Sequence, residues 1–179
     1  MRLPEPIREL GQLQTSLRVK DLQHFEQLTW RQKRSANHAH TKTIFLRHWD
    51  RDRMSAWKFP FVMKDFPLLV AYREPLQAIL RELADFYQWV DYAAIITSLK
   101  PGCEIGPHYD KGCYFDNSHR VHIPLKTNLR AMFDCGHRTI HMKPDHAYEI
   151  GNVSHVHAVR NHGEQDRHHL IVDLIQRLE

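Results

Sequence analysis

His108 and Asp110 lie two residues apart in the segment Pro101-Gly-Cys-Glu-Ile-Gly-Pro-His-Tyr-Asp110. Alternate side chains of an extended strand point to the same face, so one strand can direct this imidazole and this carboxylate toward a single metal ion. More imidazole follows in Ser154-His-Val-His157. Two histidines and one carboxylate on one face of a metal, with the other positions open, form the site of non-haem Fe(II) oxygenases. The spacing therefore predicts a metal centre.

Either histidine of the second segment can complete this centre. His155 and His157 are also two residues apart, so on a strand they would share a face. Alternation alone leaves both open. A single His-x-Asp is more often a polar strand end than a metal site, so the hypothesis depends on the residues around it.

Arg167 follows His157 by ten residues, and the midpoint lies in the turn-like sequence Asn161-His-Gly-Glu164. A chain that reverses there returns residue 167 to the level of residue 157, whether the two strands pair or face each other across a barrel. Arginine is the preferred partner of a carboxylate because its planar fork donates two parallel hydrogen bonds. Next to an iron site, this arginine could bind the far carboxylate of 2-oxoglutarate.

The same turn arithmetic adds two further residues to the predicted site. Ser98 precedes His108 by ten residues, and His122 follows Asp110 by twelve, with a turn signal between the members of each pair. Both side chains could therefore line the same mouth of a barrel.

The composition is that of an ordinary globular protein. The chain has 179 residues, 42% of them hydrophobic and 26% charged, which suits one domain with a sizeable core. We find no apolar run long enough for a membrane span and no signal-peptide core at the N-terminus. Three cysteines without metal-knuckle spacing predict a reduced, cytoplasmic setting. The net charge of +4 is dispersed, which favours a solvated surface over nucleic-acid binding.

Helical patterning is confined to the first half of the chain. Apolar residues at three- and four-residue steps from Leu76 to Val90 predict a helix that follows Glu74-Pro75 and packs on a sheet. A shorter helix is predicted around Asp21–Leu28. We expect a single domain over residues 1–179, with a helical and irregular part over about 1–91 and a motif-bearing β part over about 92–179.

Short apolar segments separated by Gly, Asn, Asp and Pro predict strands, mostly in the second half of the chain. These segments are Thr41–Arg47, Tyr92–Leu99, Ile105–Asp110, Arg120–Leu125, Ala131–Asp134, Thr139–Met142, Ala147–Ile150, Val156–Val159 and His169–Leu174. Their close and regular spacing is typical of an antiparallel sandwich or jelly roll. The predicted fold class is therefore α+β but mainly β, with N-terminal helices packed on one sheet of a rolled barrel.

Three motifs carry a resemblance to a known family. The segment from Ser98 to Asp110, the segment Arg120-Val-His-Ile-Pro-Leu125, and the run from Asn152 through Asp173 resemble, in the right order, motifs of the aspartyl/asparaginyl β-hydroxylases. That family consists of Fe(II)- and 2-oxoglutarate-dependent oxygenases with a double-stranded β-helix, a cupin-like jelly roll. The resemblance covers about residues 98–174.

The resemblance also selects between the two histidines. The family's distal metal histidine lies ten residues before the oxoglutarate-binding arginine and two before a valine, which points to His157 rather than His155. It implies that His108, Asp110 and His157 bind the metal. It also implies that Arg167, with help from His122 and Ser98, binds the oxoglutarate carboxylate.

The function implied by this resemblance is hydroxylation of an unactivated C–H bond. The cofactors would be Fe(II), 2-oxoglutarate as cosubstrate and O2, and the co-products succinate and CO2. By the same resemblance the substrate is an amino acid, an amino-acid derivative or a peptide residue. The family's animal enzymes lack an acidic metal ligand, whereas Asp110 gives this chain the three-ligand set of the bacterial form.

Other functions are compatible with parts of this pattern. A cupin-like metal enzyme could use the same barrel without oxoglutarate, but Arg167 argues against it. A non-catalytic metal-binding or regulatory protein would not need the intact ligands His108, Asp110 and His157. A nucleic-acid binder is not favoured, because the chain shows no recognisable nucleic-acid-binding module.

Overall fold

The computed structural model describes residues 3–15, 17, 31–32, 38–50 and 61–176. The helices of these residues are α1 (Leu69–Leu83) and α2 (Cys113–Asp116). The strands are β1 (Ile7–Gln12), β2 (Arg31–Gln32), β3 (Thr41–Trp49), β4 (Met63–Asp65), β5 (Asp91–Leu99), β6 (Cys103–His108), β7 (Ser118–Lys126), β8 (Ala131–Cys135), β9 (Arg138–Ile140), β10 (His146–Ile150), β11 (His157–Asn161) and β12 (Arg167–Ile175).

These strands form two antiparallel sheets. The larger sheet has the order β1-β10-β7-β12-β5-β3-β2, with β4 paired to β3, and the smaller sheet has the order β6-β11-β8-β9. The chain passes from one sheet to the other between β5 and β6, between β6 and β7, between β7 and β8, between β9 and β10, and on each side of β11. This arrangement is a double-stranded β-helix, so the predicted mainly-β fold class is confirmed.

Apolar residues fill both faces of the larger sheet. On its outer face, Leu76 and Ile79 of α1 belong to one buried cluster with Ile96 of β5. Between the sheets, Tyr148 of the larger sheet shares a second cluster with Phe133 of the smaller. Side chains of β12 alternate between the helix side of the sheet and the barrel interior. Because both faces are covered, all nine residues of this strand are buried.

All nine predicted strands overlap strands of the structure, with small shifts at their ends. Asp110 lies two residues beyond β6, which ends at His108. The predicted final strand gains Arg167, which is the first residue of β12. The predicted short helix around Asp21–Leu28 lies outside the described residues.

The long helix is displaced toward the N-terminus relative to the prediction. Helix α1 begins at Leu69, so Pro75 lies in its second turn rather than its first. Proline lacks the N–H that a helix interior needs, and the sequence therefore predicted a start at this position. The helix ends at Leu83. Phe86 and Val90, which continued the predicted apolar stripe, lie beyond it and are exposed.

The N-terminal part of the chain contributes strands as well as a helix. Strand β1 pairs with β10 at one edge of the larger sheet, and β3 pairs with β5 toward the other edge. Among the described residues, no helix combines the length and the hydropathy needed to cross a bilayer.

Candidate metal centre and cosubstrate pocket

His108, Asp110 and His157 come together at one end of the barrel. Each offers a ligand atom, and these atoms all lie within 4.8 Å of one another. His108 is the last residue of β6 and His157 the first of β11, and the two are paired across the smaller sheet with ring centroids 4.2 Å apart. Asp110 follows β6, and its backbone N–H donates to the carbonyl of Asn152 at 3.0 Å.

The Asp110 carboxylate is held through one oxygen. Its Oδ2 accepts hydrogen bonds from Arg120 Nη1 at 2.5 Å and from Asn152 Nδ2 at 2.9 Å. These contacts leave Oδ1 available to a metal. Burial alone would raise the pKa of Asp110, but the charges of Arg120 and His157 and the bond from Asn152 outweigh it and lower the pKa to about 2. The group is therefore a carboxylate at neutral pH.

The two imidazoles are suited to metal binding. Nδ1 of His108 lies 2.8 Å from the carbonyl of Gly106, and a carbonyl can only accept, so the proton is on Nδ1 and the Nε2 lone pair is free. Burial lowers the pKa of His157 to about 4, with smaller contributions from neighbouring charges. His157 is therefore the neutral imidazole that metal ligation requires. Two imidazoles and a carboxylate fit Fe(II).

His155 lies elsewhere. It precedes β11, and its Nδ1 is 3.0 Å from the hydroxyl of Ser154. A Cβ placed on Gly151 would lie 2.7 Å from the same nitrogen, so the ring packs against that backbone. Alternation treated His155 and His157 as equivalent because it assumed that both belong to one strand. The structure brings only His157 to the metal-ligand group.

Arg167 is buried in the barrel without an acidic partner among the described residues. Only 4% of it is exposed, and its Nη2 lies 2.9 Å from Nδ1 of His169. Burial lowers the pKa of Arg167 to about 9. A desolvated guanidinium without a counter-ion is costly, and a bound carboxylate would supply the missing charge.

Further polar groups on the interior face of the larger sheet lack protein partners. Among the described residues, the buried atoms without a hydrogen-bond partner include Nδ1 of His122, Nε2 of His169, and the hydroxyls of Thr41 and Thr43. Buried polar atoms are normally satisfied, so this set indicates a polar occupant of the cavity. His122 lies between the metal-ligand group and Arg167. Its ring centroid is 5.8 Å from that of His169, which contacts Arg167, and 5.3 Å from that of Phe133. The Phe133 ring in turn stacks on His157 at 6.1 Å.

Both of these imidazoles are neutral. Burial is the main cause that lowers the pKa values of His122 and His169 well below 6.5, and the charge of Arg167 adds to it in each case. Since the guanidinium can only donate, Nδ1 of His169 must accept, and the His169 proton is on Nε2. The far end of the cavity thus offers Arg167 and the His169 N–H as donors.

Ser98 is not part of this group. It is paired with His168, whereas Arg167 is paired with Leu99 and His169 with Thr97. Ser98 therefore points to the helix side of the larger sheet, where its hydroxyl donates to Asp166 at 3.4 Å. The turn arithmetic placed Ser98 at the right level but could not determine its face. Thr97, one residue earlier, faces the cavity beside His169.

The prediction also missed residues that alternation could have supplied. Arg120 is two residues before His122, and His169 is two after Arg167, so each shares a face with a predicted site residue. Asn152 gave no such signal, because it approaches Asp110 from a turn.

Comparison with known proteins places this site in a family. The family described as aspartyl/asparaginyl beta-hydroxylase matches residues 7–177. No curated protein matches the sequence. A Burkholderia pseudomallei oxidoreductase of the 2OG-Fe(II) oxygenase family superposes with a TM-score of 0.64 at 15% identity, covering 96% of this chain and 86% of its own.

Two prolyl hydroxylases have the same fold. The Pseudomonas putida prolyl-4-hydroxylase gives a TM-score of 0.59 at 10% identity and covers 98% of this chain and 95% of its own. A Trichoplax adhaerens prolyl hydroxylase, solved with a hypoxia-inducible-factor peptide fragment, gives 0.61 at 8% identity and covers 97% and 84%. With a family match over residues 7–177, this chain belongs to the aspartyl/asparaginyl β-hydroxylase family of Fe(II)- and 2-oxoglutarate-dependent oxygenases.

Proposed function

We propose that this oxygenase hydroxylates an unactivated C–H bond of an amino acid, an amino-acid derivative or a peptide residue, with release of succinate and CO2. The observation that carries the proposal is Arg167, a buried guanidinium without a carboxylate partner among the described residues, on the same interior side of the barrel as His157. A dicarboxylate that bound the metal at one end would supply that missing partner at the other.

His108, Asp110 and His157 would hold Fe(II), each histidine through one imidazole nitrogen and Asp110 through its free Oδ1. When bound, the iron, the cosubstrate and O2 supply the oxidising power for the reaction, and the protein supplies orientation and a dry site. Asp110 contributes a negative charge and His157 a neutral nitrogen, because their pKa values lie below the neutral range.

The far carboxylate of 2-oxoglutarate binds at Arg167. His122 and His169 line the path between the metal ligands and this arginine, and they keep the cavity free of further positive charge. The Nε2–H of His169 and the hydroxyl of Thr97 face the same space. The predicted contact of Ser98 is not supported by its position on the helix side of the sheet.

The substrate class rests on two observations. The family description names aspartyl and asparaginyl hydroxylation, and one structural neighbour was solved with a peptide fragment. Both support a substrate with an amino-acid backbone. Arg47 is paired with Asp65 and Asp91, so it does not offer a free charge to a substrate carboxylate.

Oxoglutarate turnover tests the proposal. Purified protein with Fe(II), O2 and oxoglutarate is incubated with free amino acids and with short peptides that contain Asp, Asn or Pro, and succinate is measured. We expect succinate release that increases with at least one of these compounds and is lost in Asp110→Ala. A metal-loaded protein that leaves oxoglutarate unchanged under all conditions would favour a cupin-like metal enzyme instead.

A further inference from the structure

A buried chain of hydrogen bonds leads from Asp110 into the larger sheet. Arg120, which bonds Asp110 through Nη1, uses its other edge on Asp173: Nε donates to Oδ1 at 2.7 Å and Nη2 to Oδ2 at 2.8 Å. The hydroxyl of Tyr114 then donates to Asp173 Oδ2 at 2.9 Å. Hydrogen bonds thus join four side chains in sequence: Asp110 after β6, Arg120 of β7, Asp173 of β12 and Tyr114 of α2.

We propose that Asp173 and Tyr114 are positioning residues for the metal ligand, acting through Arg120 to fix the carboxylate of Asp110. This inference rests on the proposed function only in taking Asp110 as a ligand. Their effect is to commit Oδ2 of Asp110 to the protein, so that Oδ1 is presented to the metal in one orientation.

Because the guanidinium of Arg120 is rigid, its contact with Asp173 directly determines its contact with Asp110. The five donors of arginine lie in one plane, and the two-point bond to Asp173 fixes that plane and its rotation. The direction of Nη1, and with it the contact to Asp110, is then determined. Phe115 closes the other side, with the guanidinium carbon 4.7 Å from its ring centroid.

Tyr114 anchors the far end of this chain. Its side chain is fully buried, and its ring centroid lies 4.3 Å from that of Trp49 and 5.2 Å from that of Phe61. Tyr114 follows Asp110 by four residues in the sequence. Its burial and its hydrogen bond to Asp173 fix the position of the Tyr114 hydroxyl.

The charges of the chain point to the same role. Arg120 is one cation between two carboxylates, those of Asp110 and Asp173, so the group is one positive charge short of neutral. A divalent cation at Asp110 Oδ1 supplies positive charge where it is lacking. Removal of the charge on Asp173 would let Arg120 turn toward Asp110 and compete with that cation.

The larger sheet contains a matched control. Tyr87 donates to the buried carboxylate of Glu149 at 2.7 Å, which is the same pair of groups as Tyr114 and Asp173. Glu149, however, is on the helix side of the sheet, where it also contacts His119, and it has no bond to a metal ligand. Tyr87→Phe and Tyr114→Phe therefore remove equivalent hydroxyls, and only one of them belongs to the chain that holds Asp110.

Co(II) binding in the absence of cosubstrate tests the inference. We expect Asp173→Asn to raise the Kd for Co(II) about 10–100-fold and to shift the visible absorption bands of the bound ion. Tyr114→Phe, which keeps the Arg120–Asp173 pair, should raise the Kd by roughly 3–10-fold. Tyr87→Phe should leave both the Kd and the spectrum unchanged.

The outcomes separate this inference from the proposed function. If the wild-type protein does not bind Co(II), the proposed metal centre is wrong. If it binds Co(II) and Tyr114→Phe matches the wild type in Kd and spectrum, or Tyr87→Phe weakens binding equally, the positioning role is refuted. Tyr114→Phe decides the matter even if Asp173→Asn does not fold.

Discussion

Replacement of Arg167 by methionine should strongly weaken cosubstrate binding without destabilising the fold. Methionine keeps an unbranched side chain and removes the guanidinium. Truncation of one partner of a buried, hydrogen-bonded charge pair costs about 2–5 kcal/mol of binding free energy. Since about 1.4 kcal/mol is a factor of ten, we expect the Kd for oxoglutarate to rise by a factor between about 30 and about 4,000 in the Fe(II)-loaded, anaerobic protein.

The free energy of unfolding should respond differently. Without cosubstrate, the wild-type protein holds a desolvated charge whose described contact is with neutral His169, so its removal relieves a desolvation cost. The lost hydrogen bond contributes about 1 kcal/mol in the other direction. We therefore expect Arg167→Met to be about as stable as the wild type, or more stable. With metal present, oxoglutarate at about 100 times its wild-type Kd should stabilise the wild type by about 2.7 kcal/mol and the variant by less than about 1 kcal/mol.

Titration calorimetry and urea unfolding measure these two quantities. Arg160→Met is the matched control, because Arg160 is half-exposed on β11 and paired with Asp134, and it should leave oxoglutarate binding unchanged. Oxoglutarate that binds Arg167→Met within about threefold of the wild-type Kd would mean that the buried guanidinium is not the carboxylate site.

Three further outcomes are expected. His157→Ala should reduce metal affinity by orders of magnitude, whereas His155→Ala, whose ring packs against Gly151, should retain most of it; the reverse result would identify the wrong histidine. Thr97→Val should weaken oxoglutarate binding and Ser98→Ala should not, because the first faces the cavity and the second does not; equal effects would contradict this register. The pKa of His169 is well below 6.5 in the folded protein, so on acidification the unfolded state takes up the proton first, and stability present above pH 6.5 is lost below it. For one such histidine, the free energy of unfolding falls by about 2 kcal/mol between pH 7 and pH 5. In His169→Gln the free energy of unfolding should therefore decrease by that much less over the same interval. An identical decrease in the variant would place the imidazole in a solvated position.

The strands and the pair His108 and Asp110 could be predicted because their signals are local, whereas the family resemblance selected His157 over His155 for the same group. Short apolar segments between turn residues mark strands, and the spacing of His108 and Asp110 is compatible with binding of one metal ion by both side chains. The reversal between His157 and Arg167 gave their common level, although the two strands lie in different sheets. A chain reversal returns two residues to the same height in the barrel whether their strands pair in one sheet or face each other across two sheets.

Two features could not be predicted in the same way: the sheet face on which a side chain lies, and the pairing of segments that are distant in the sequence. The side on which Ser98 or Thr97 points depends on the pairing of β5 with β12, which no local pattern records. Strand β1 is formed by a polar segment that only its pairing with β10 keeps extended. Helix α1 starts before Pro75 because Leu69 and Tyr72 are buried in the core, and that gain outweighs the missing hydrogen bond.

The measurement that tests the central claim most directly is incorporation of oxygen from ¹⁸O2 during turnover with a substrate found in the succinate assay. Hydroxylation of R–H with decarboxylation of oxoglutarate yields R–OH, succinate and CO2, and it divides the two oxygen atoms between product and succinate. We predict one ¹⁸O atom in the hydroxylated product and one in succinate by mass spectrometry. Product oxygen derived from water, or product formed without consumption of oxoglutarate, would contradict the account.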